Sequence, residues 1–344
     1  VDGLINGLGG LLEFVPLILF MFLAIAFFED SGYMARAAFL MDKFMARFGL
    51  HGKSFLPLMI STNGCAVLGL MSSRTLENPK DRLITMLVTP FMICGAKLPI
   101  FALFIAAFFP AEYAAGLMFL MYVLSIAVAL VSAWVLRTFV LKGEGEHFVM
   151  ELPPYRLPSF RGILLKTFER VWVYLGKAGT VILGISIVIW AGFTFPRVAQ
   201  APGQANVVQL EQSFAGRFAR FIEPGLRPIG LDWRSGVALV GGVAAKEVVV
   251  STLGTFYSLQ DSGPQDVSLQ KHLQRDPFWN PLKAFVFLIF SLFYSPCLVA
   301  VTVFFKESGS RRGWTMLLIF GTTALAWLVS FVVYQTGLAI GIGV

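Results

Sequence analysis

Eight apolar segments of roughly twenty residues, each long enough to cross a bilayer as a helix, occupy most of this chain. They lie near residues 11–28, 54–73, 83–109, 113–140, 172–195, 235–257, 282–305 and 313–338. The sequence is 57% hydrophobic and 14% charged, whereas a soluble domain carries about 25% charged residues. Since a bilayer cannot hydrate an open backbone, spanning segments must be helical. The sequence therefore predicts an all-α, polytopic membrane bundle.

The polar residues lie between these segments. The 27 basic and 20 acidic residues give a net charge of +7, and their scatter fits the flanks of membrane helices rather than a nucleic-acid patch. Charges at helical spacing within 32–43 predict a helix in the membrane interface. We predict loops with short helical pieces at 142–170 and 196–233, and another loop at 258–280.

A faint internal repeat divides the chain. The stretch GLHGKS at 49–54 resembles GLDWRS at 230–235, and each precedes an interrupted apolar segment and a further span. The repeats would run over 11–109 and 172–305. The predicted organisation is a first repeat with its following helix, a loop, a second repeat with polar loops, and a C-terminal membrane helix, at 1–141, 142–170, 171–305 and 306–344.

The topology has two alternatives. If 54–73 and 235–257 cross the membrane fully, basic residues divide almost evenly between its two sides. If both are re-entrant, six crossings remain, and the short loops on one side hold 15 of the 27 basic residues. This asymmetry favours the re-entrant alternative, in which the two repeats would be inverted.

Each of the three cysteines lies in a helix-breaking interruption of an apolar segment. Cys65 follows Asn63 and Gly64, Cys94 lies between two prolines, and Cys297 follows a proline. An isolated cysteine is most often a small buried hydrophobe, but three at such breaks favour a path for a soft or borderline cation. On softness alone, Fe²⁺, Mn²⁺, Zn²⁺ and Cu⁺ all qualify. An odd number of cysteines in apolar surroundings argues against a disulfide framework.

Charged residues at membrane depth are functional candidates because burying them is costly. Glu247 would line a cation path, while Lys246 would snorkel or lock a gate; the alternative is a pair that neutralises itself. Glu29 and Asp30 would form an entrance that attracts cations, or a solvated helix end. Arg74 and Lys97 are expected to anchor the ends of broken helices. Candidate metal-path residues are Cys65, Cys94, Cys297, Glu247, Glu29, Asp30 and Asn63.

The sequence contains no phosphate-binding loop and no HExxH, G-x-S-x-G or CxxC motif, each of which would indicate a specific catalytic chemistry. We therefore expect a transporter with no tightly bound cofactor rather than an enzyme. Two alternatives stay open: a gate-type transporter of nucleosides or another organic solute, and a membrane module that transports nothing. A thiol oxidoreductase is disfavoured because the cysteines are not paired.

Several of these stretches together resemble the membrane domain of the ferrous iron transport protein B family. They are EDSGYMARAAF at 29–39, NGCAV at 63–67, RT at 74–75, TPFMICGAKLP at 89–99, AKEV at 245–248 and SPCL at 295–298. The resemblance implies a prokaryotic inner-membrane importer with two gate repeats, in which Fe²⁺ is the transported substrate. It implies that Cys65, Cys94 and Cys297 match the gate cysteines that line the ion path.

The same resemblance implies partners that act with the membrane domain. A cytoplasmic GTP-binding domain would drive gate movement, and GTP would bind only there. Small accessory iron-transport proteins are further partners that the resemblance implies, beside the lipid bilayer, and homo-oligomerisation stays open. Because the chain starts at Val1 rather than Met, we expect it to be part of a longer protein, and the resemblance implies that the first membrane helix is absent from it.

Two positions depart from the family pattern. Leu68 stands where proline is common, so we expect a less sharply broken helix at Cys65. Ile93 stands where serine is usual, which removes one oxygen ligand beside Cys94.

Overall fold

The computed structural model describes residues 22–62, 64–141, 159–169, 213–258 and 269–341, with the single positions 16, 19, 20, 171, 172, 176, 184 and 192. Throughout these residues the regular secondary structure is helical. The predicted all-α fold class is confirmed.

Helical residues 22–30 precede fourteen labelled helices of the described chain. These are α1 (Tyr33–Ala46), α2 (Phe55–Ser61), α3 (Ala66–Ser72), α4 (Pro79–Val88), α5 (Leu98–Phe108), α6 (Ala111–Val135), α7 (Phe214–Leu226), α8 (Trp233–Ala244), α9 (Val248–Ser258), α10 (Leu269–Arg275), α11 (Pro281–Phe293), α12 (Leu298–Glu307), α13 (Arg312–Met316) and α14 (Thr322–Ile340). A π-helical turn at Leu317–Gly321 joins α13 to α14.

Four stretches of the described chain are long and apolar enough to cross a membrane: Pro79–Phe108, Ala111–Val140, Pro281–Glu307 and Arg312–Ile340. They confirm four of the predicted spans, those near 83–109, 113–140, 282–305 and 313–338. The predicted span 172–195 lies largely outside the described residues, whereas residues 22–28 of the predicted span 11–28 are described and helical. The chain is therefore a multi-pass membrane protein.

The remaining two predicted spans and two polar segments differ in detail. Segments 54–73 and 235–257 each form two short helices, α2 with α3 and α8 with α9. The predicted loop at 258–280 contains α10, so that prediction was wrong over Leu269–Arg275. The predicted interfacial segment 32–43 is helical, as α1, and its preceding Gly32 has a φ of 77° that favours glycine. Its place in the interface stays a prediction.

The chain forms two compact units. The first contains the described residues of Val1–Gly95, Leu124–Gly184 and Val299–Thr315, and the second those of Ala96–Val123, Ile185–Leu298 and Met316–Val344. Leu70, Ile84 and Ile93 are fully buried in the first unit.

In the second unit an aromatic core forms around Phe104, whose ring centroid lies 5.0 Å from that of Trp279 and 4.8 Å from that of Phe287. Within a bilayer, close contacts of this kind stabilise the unit through van der Waals packing.

In the first unit α2 and α3 form a short helical hairpin, which we call hairpin 1. Gly69 on α3 packs so closely against α2 that an added Cβ would overlap Ser61 Oγ and the Pro57 carbonyl oxygen. At the open end, Lys53 Nζ and Glu77 Oε1 form an ion pair at 3.0 Å. The chain thus returns to the level at which it entered. A seven-residue helix is only about 10 Å long, against about 30 Å of hydrocarbon, so neither helix of hairpin 1 is long enough to cross a bilayer alone.

Ion pairs connect further helix ends in the first unit. Glu307, at the end of α12, binds Arg74 and lies 2.5 Å from Arg82 Nη2. The hydrogen bonds to Glu307 raise the pKa of Arg74 above its already high value. Asp81 Oδ1 accepts a hydrogen bond from Arg137 Nη1 at 2.7 Å. These contacts bring the end of hairpin 1 and the ends of three longer helices to one level.

In the second unit α8 and α9 form hairpin 2 in the same way. Its open end is held by Asp276 Oδ2, which accepts hydrogen bonds from Arg234 Nη1 at 2.9 Å and from Tyr257 Oη at 2.7 Å. Trp279 Nε1 donates to Tyr257 Oη at 2.8 Å. Arg234 lies at the start of α8 and Tyr257 near the end of α9, so this hairpin also returns to its starting level.

The two units share the backbone features that introduce each hairpin. Gly49 and Gly230 have left-handed φ values of 72° and 75°. His51 Nδ1 then caps Lys53 N, and Asp232 Oδ1 caps Ser235 N. Burial raises the pKa of Asp232, although its hydrogen bonds from Ser235 oppose that shift. The matched turns and caps support the internal repeat.

Candidate functional site: two hairpin tips and two helix breaks

The tip of hairpin 1 carries Cys65. Helix α2 ends at Ser61 because Thr62 and Cys65 adopt extended backbone conformations. The hydroxyls of Ser61 and Thr62 donate back to the Pro57 and Leu58 carbonyl oxygens at 2.8 and 2.9 Å, so they satisfy acceptors at the helix end. The predicted weakening of this break by Leu68 was wrong. Leu68 lies inside α3, after the break, and is buried there.

The second interruption in the first unit carries Cys94. Helix α4 ends at Val88, and a 3₁₀ turn over Thr89–Phe91 leads to Met92 in an extended conformation. Pro90 has no backbone N–H and so cannot continue the α-helical ladder. Thr89 Oγ1 donates to the Thr85 carbonyl oxygen at 2.6 Å.

Hairpin 1 meets this break through one backbone hydrogen bond. Gly95 N donates to the Gly64 carbonyl oxygen at 2.8 Å. Gly64 immediately precedes Cys65 and Gly95 immediately follows Cys94, so the bond brings the chain segments of both cysteines together. Both thiol-bearing residues are half-buried. Two soft ligands thus occur at one junction of the first unit.

The tip of hairpin 2 carries Lys246 and Glu247. Ala245 is extended, with φ −150° and ψ 129°, and α9 begins only at Val248. Glu247 is half-buried. Lys246 is only 3% exposed, so it does not snorkel towards the interface. Its Nζ donates to the Ser295 carbonyl oxygen at 2.8 Å and lies 3.0 Å from the centroid of the Tyr294 ring.

The break that receives this tip carries Cys297. Helix α11 ends at Phe293, Tyr294 is extended, and Pro296 prevents the helix from resuming before Leu298. Cys297 is half-buried at the start of α12. Each unit therefore brings a hairpin tip against a break in a following helix.

Arg74 and Lys97 both bind within the protein at helix ends, which agrees with the predicted anchoring role. Arg74 binds Glu307. Lys97 is 3% exposed and donates to the Leu292 carbonyl oxygen at 2.8 Å.

Two other predicted path residues, Glu29 and Asp30, lie apart from these breaks along the chain. Glu29 is exposed at the end of helical residues 22–30. Asp30 Oδ1 accepts a hydrogen bond from Lys166 Nζ at 2.5 Å, so its charge is balanced by a lysine. Asn63 lies outside the described residues. In the described part of the chain, no three His, Cys, Asp or Glu side chains lie close enough together to hold a metal ion. A cation at either junction would therefore depend on few side chains and on backbone carbonyls.

Sequence reasoning missed Tyr294 and Asp276. Tyr294 directly precedes the SPC stretch, a signal that could have marked it. Asp276 lies in a segment predicted to be a loop, and its partners come from positions 42 residues before and 19 residues before it in the chain. Only the fold reveals such partners.

Two family models match the chain. One, described as "Ferrous iron transport protein B C terminus", matches residues 118–170. The other, a gate family described as "Nucleoside recognition", matches residues 11–108 and 175–311. The two gate matches contain hairpin 1 and hairpin 2 respectively.

Curated relatives align along nearly the whole chain. A Campylobacter jejuni protein named Fe(2+) transporter FeoB is 42% identical over 96% of this chain and 54% of its own length. A Staphylococcus aureus protein of that name is 40% identical over 98% of this chain and 48% of its own length.

A Porphyromonas gingivalis protein is named Fe(2+) transport protein A/Fe(2+) transporter FeoB fusion protein. It is 40% identical over 98% of this chain and 44% of its own length. The chain thus spans about half the length of these curated relatives. No solved structure matches it significantly.

Proposed function

We propose that this chain, which belongs to the ferrous iron transport protein B family, forms the membrane permease of a ferrous iron importer. The contact between a hairpin tip and a helix break, which occurs in each unit, is the observation that carries this proposal. At a broken helix, carbonyl groups can bind a transported ion in place of its water.

Fe²⁺ would meet the junction of the first unit through the thiols of Cys65 and Cys94 and adjacent carbonyl oxygens. In the second unit it would meet Cys297 and Glu247. Asn63 would contribute beside Cys65. Sulfur and oxygen donors suit a borderline cation such as Fe²⁺, and a small number of ligands allows the ion to be released again.

Ions would enter past Glu29 and Asp30, whose negative charges attract divalent cations. We place the protein in the prokaryotic inner membrane with six crossings, both hairpins being re-entrant. The paired ends of hairpin 1 and hairpin 2 support this topology. Three predicted crossings separate the two hairpins along the chain, which would make the repeats inverted.

Gate movement would be coupled to a GTP-binding domain of the full-length parent protein. A small accessory iron-transport protein is a further proposed partner, supported by the name of the Porphyromonas gingivalis fusion protein. GTP would act only through the GTP-binding domain, and Fe²⁺ is substrate rather than cofactor.

The second candidate function is transport of a nucleoside or another organic solute, which the description of the gate family model favours. Transport of Fe²⁺ is better supported than transport of a nucleoside, because the C-terminal family model and the names of the curated relatives both refer to iron. A nucleoside transporter would be indifferent to loss of its cysteines.

The test is Fe²⁺ uptake by the full-length parent in liposomes under reducing conditions. Cys65→Ser, Cys94→Ser and Cys297→Ser are each expected to lower the initial rate. Met59→Leu is the matched control, because it removes a sulfur atom from the exposed face of α2, where Met59 is 53% exposed. Uptake that is unchanged in all three serine variants would refute the thiol path.

A further inference from the structure

The ammonium group of Lys246 occupies a position built from two kinds of cation ligand. The Ser295 carbonyl oxygen accepts its hydrogen bond at 2.8 Å, and the face of the Tyr294 ring lies 3.0 Å away. The carbonyl is available because α11 ends at Phe293, and aromatic faces attract ammonium ions most strongly where water is excluded. The Ser295 carbonyl oxygen and the Tyr294 ring together form a small cation site within the second unit.

The Tyr294 ring is held in place independently of Lys246. It stacks on Phe290, with ring centroids 5.6 Å apart and planes inclined by 23°. Its hydroxyl reaches Gly242 on α8, where an added Cβ would overlap the Tyr294 oxygen. Because two helices position the ring, the cation site is present before any ion binds.

A second buried ammonium group lies at the same helix end. Lys97 Nζ donates to the Leu292 carbonyl oxygen, one turn before Ser295. The last carbonyl groups of a helix lack intrahelical donors and carry the negative end of its dipole. The C-terminal end of α11 is therefore a place where cations are stabilised.

Lys246 holds the position in hairpin 2 that Cys65 holds in hairpin 1. Each lies 16 residues after the left-handed glycine of its repeat, Gly49 or Gly230. Hairpin 1 contacts its break through backbone atoms and presents a thiol there. Hairpin 2 contacts the break before Cys297 through the ammonium group of Lys246.

We propose that Lys246 is a positioning residue that fills a carbonyl–aromatic cation site and thereby holds the tip of hairpin 2 on the break before Cys297. The site takes ammonium-type monovalent cations, of which the lysine side chain is the tethered occupant. Loss of the tether would open the break and leave a vacancy for a small primary ammonium ion. The consequence for ion transport rests on the proposed ferrous permease function; the cation site itself does not.

The first test measures alkylation of Cys297 by N-ethylmaleimide in the full-length parent, read by peptide mass spectrometry. Lys246→Ala should raise the labelling rate about tenfold, since a buried cation–π contact and a charged hydrogen bond are lost. Methylammonium should restore protection in part, because it refills the cation site but is not attached to hairpin 2. In Lys246→Met, Cys297 should also be alkylated faster. Methylammonium should not restore protection in this variant, because the methionine side chain fills the vacancy.

Lys283 supplies the matched control. Its Nζ donates to the Phe278 carbonyl oxygen at 3.0 Å and lies 4.2 Å from the Phe278 ring centroid, the same pair of ligands at a half-buried position away from the break. Lys283→Ala should leave Cys297 labelling unchanged with or without methylammonium. Wild-type labelling in Lys246→Ala, or an equal rise in labelling in Lys283→Ala that methylammonium also reverses, would overturn the proposal.

The second test is Fe²⁺ uptake in liposomes. Lys246→Ala should lower the maximal rate severalfold with little change in KM, and methylammonium should restore that rate in part. A wild-type protein without Fe²⁺ uptake would refute the ferrous function while the labelling test still decides on the cation site. Wild-type uptake with no effect of Lys246→Ala would refute the positioning role in transport.

Discussion

Lys53 and Glu77 form an ion pair at 3.0 Å that joins the two ends of hairpin 1. Ser54, next to Lys53, also accepts a hydrogen bond from Thr85 Oγ1 at 2.8 Å, which ties the start of the hairpin to α4. The hairpin therefore enters and leaves on one level. A full crossing by 54–73 would separate these residues by the thickness of the bilayer.

This relationship predicts the result of accessibility labelling. Lys53→Cys and Glu77→Cys should both react with a membrane-impermeant maleimide added to the same side of the membrane, Glu77→Cys faster because its side chain is 84% exposed against 26% for Lys53. Labelling of the two positions from opposite sides would exclude the re-entrant topology.

Close packing within hairpin 1 predicts a strong effect of Gly69→Ala. The added methyl group would overlap Ser61 Oγ and the Pro57 carbonyl oxygen, and overpacking of this kind costs about 1–3 kcal/mol. Thermal unfolding in detergent should therefore start at a lower temperature.

Gly116→Ala is the control for that substitution, because an added Cβ at Gly116 meets nothing within 4 Å. It should leave the unfolding temperature unchanged or slightly raised, as expected for alanine in a helix. Equal effects of the two substitutions would contradict the tight contact between α2 and α3.

The pairing of Glu307 with two arginines predicts that Glu307→Gln destabilises the first unit. The Glu307 side chain is 8% exposed, and loss of its charge leaves Arg74 and Arg82 with weaker partners. Since both arginines are partly solvated, we expect a cost of about 1–2 kcal/mol, measured by thermal or denaturant unfolding.

Glu223→Gln provides the comparison, since Glu223 pairs with Arg227, which is 74% exposed. An exposed pair four residues apart contributes about 0.5 kcal/mol or less. A Glu307→Gln effect as small as that of Glu223→Gln would show that the ion cluster does not hold the helix ends together.

Gly242→Ala should displace the Tyr294 ring, because the new methyl group takes the space of its hydroxyl. We expect faster alkylation of Cys297 and slower Fe²⁺ uptake. Gly254→Ala, on α9, is the control, since its nearest atom would be Leu269 Cδ2 at 3.8 Å, an ordinary contact. Unchanged labelling in Gly242→Ala would mean that the ring position does not control the break.

Features that depend on neighbouring residues in the chain could be predicted from the sequence. Apolar length predicted the four long spans, and Pro90 and Pro296 predicted two of the helix breaks, because proline removes a backbone donor wherever it stands. We expected a less sharply broken helix at Cys65, because residue 68 is leucine where proline is common. The extended backbone of Thr62 and Cys65 makes that break without proline.

Features set by distant partners could not be predicted. The contact of Lys246 with Ser295 joins residues 49 positions apart, and that of Arg74 with Glu307 joins residues 233 apart. The sequence marked Lys246 as a costly intramembrane charge, but which carbonyl it would bind depends on how hairpin 2 packs. The direct roles of the cysteines and Glu247 in ion passage stay predictions.

Fe²⁺ uptake by a double-mutant cycle of Cys65 and Cys94 tests the iron path most directly. Initial rates would be compared for the wild-type parent, Cys65→Ser, Cys94→Ser and the double variant. Because the backbone of both residues meets at the Gly64–Gly95 hydrogen bond, we predict that each single variant slows uptake and that the double variant is little slower than the worse single one. Wild-type rates in all three variants would contradict an iron path through this junction.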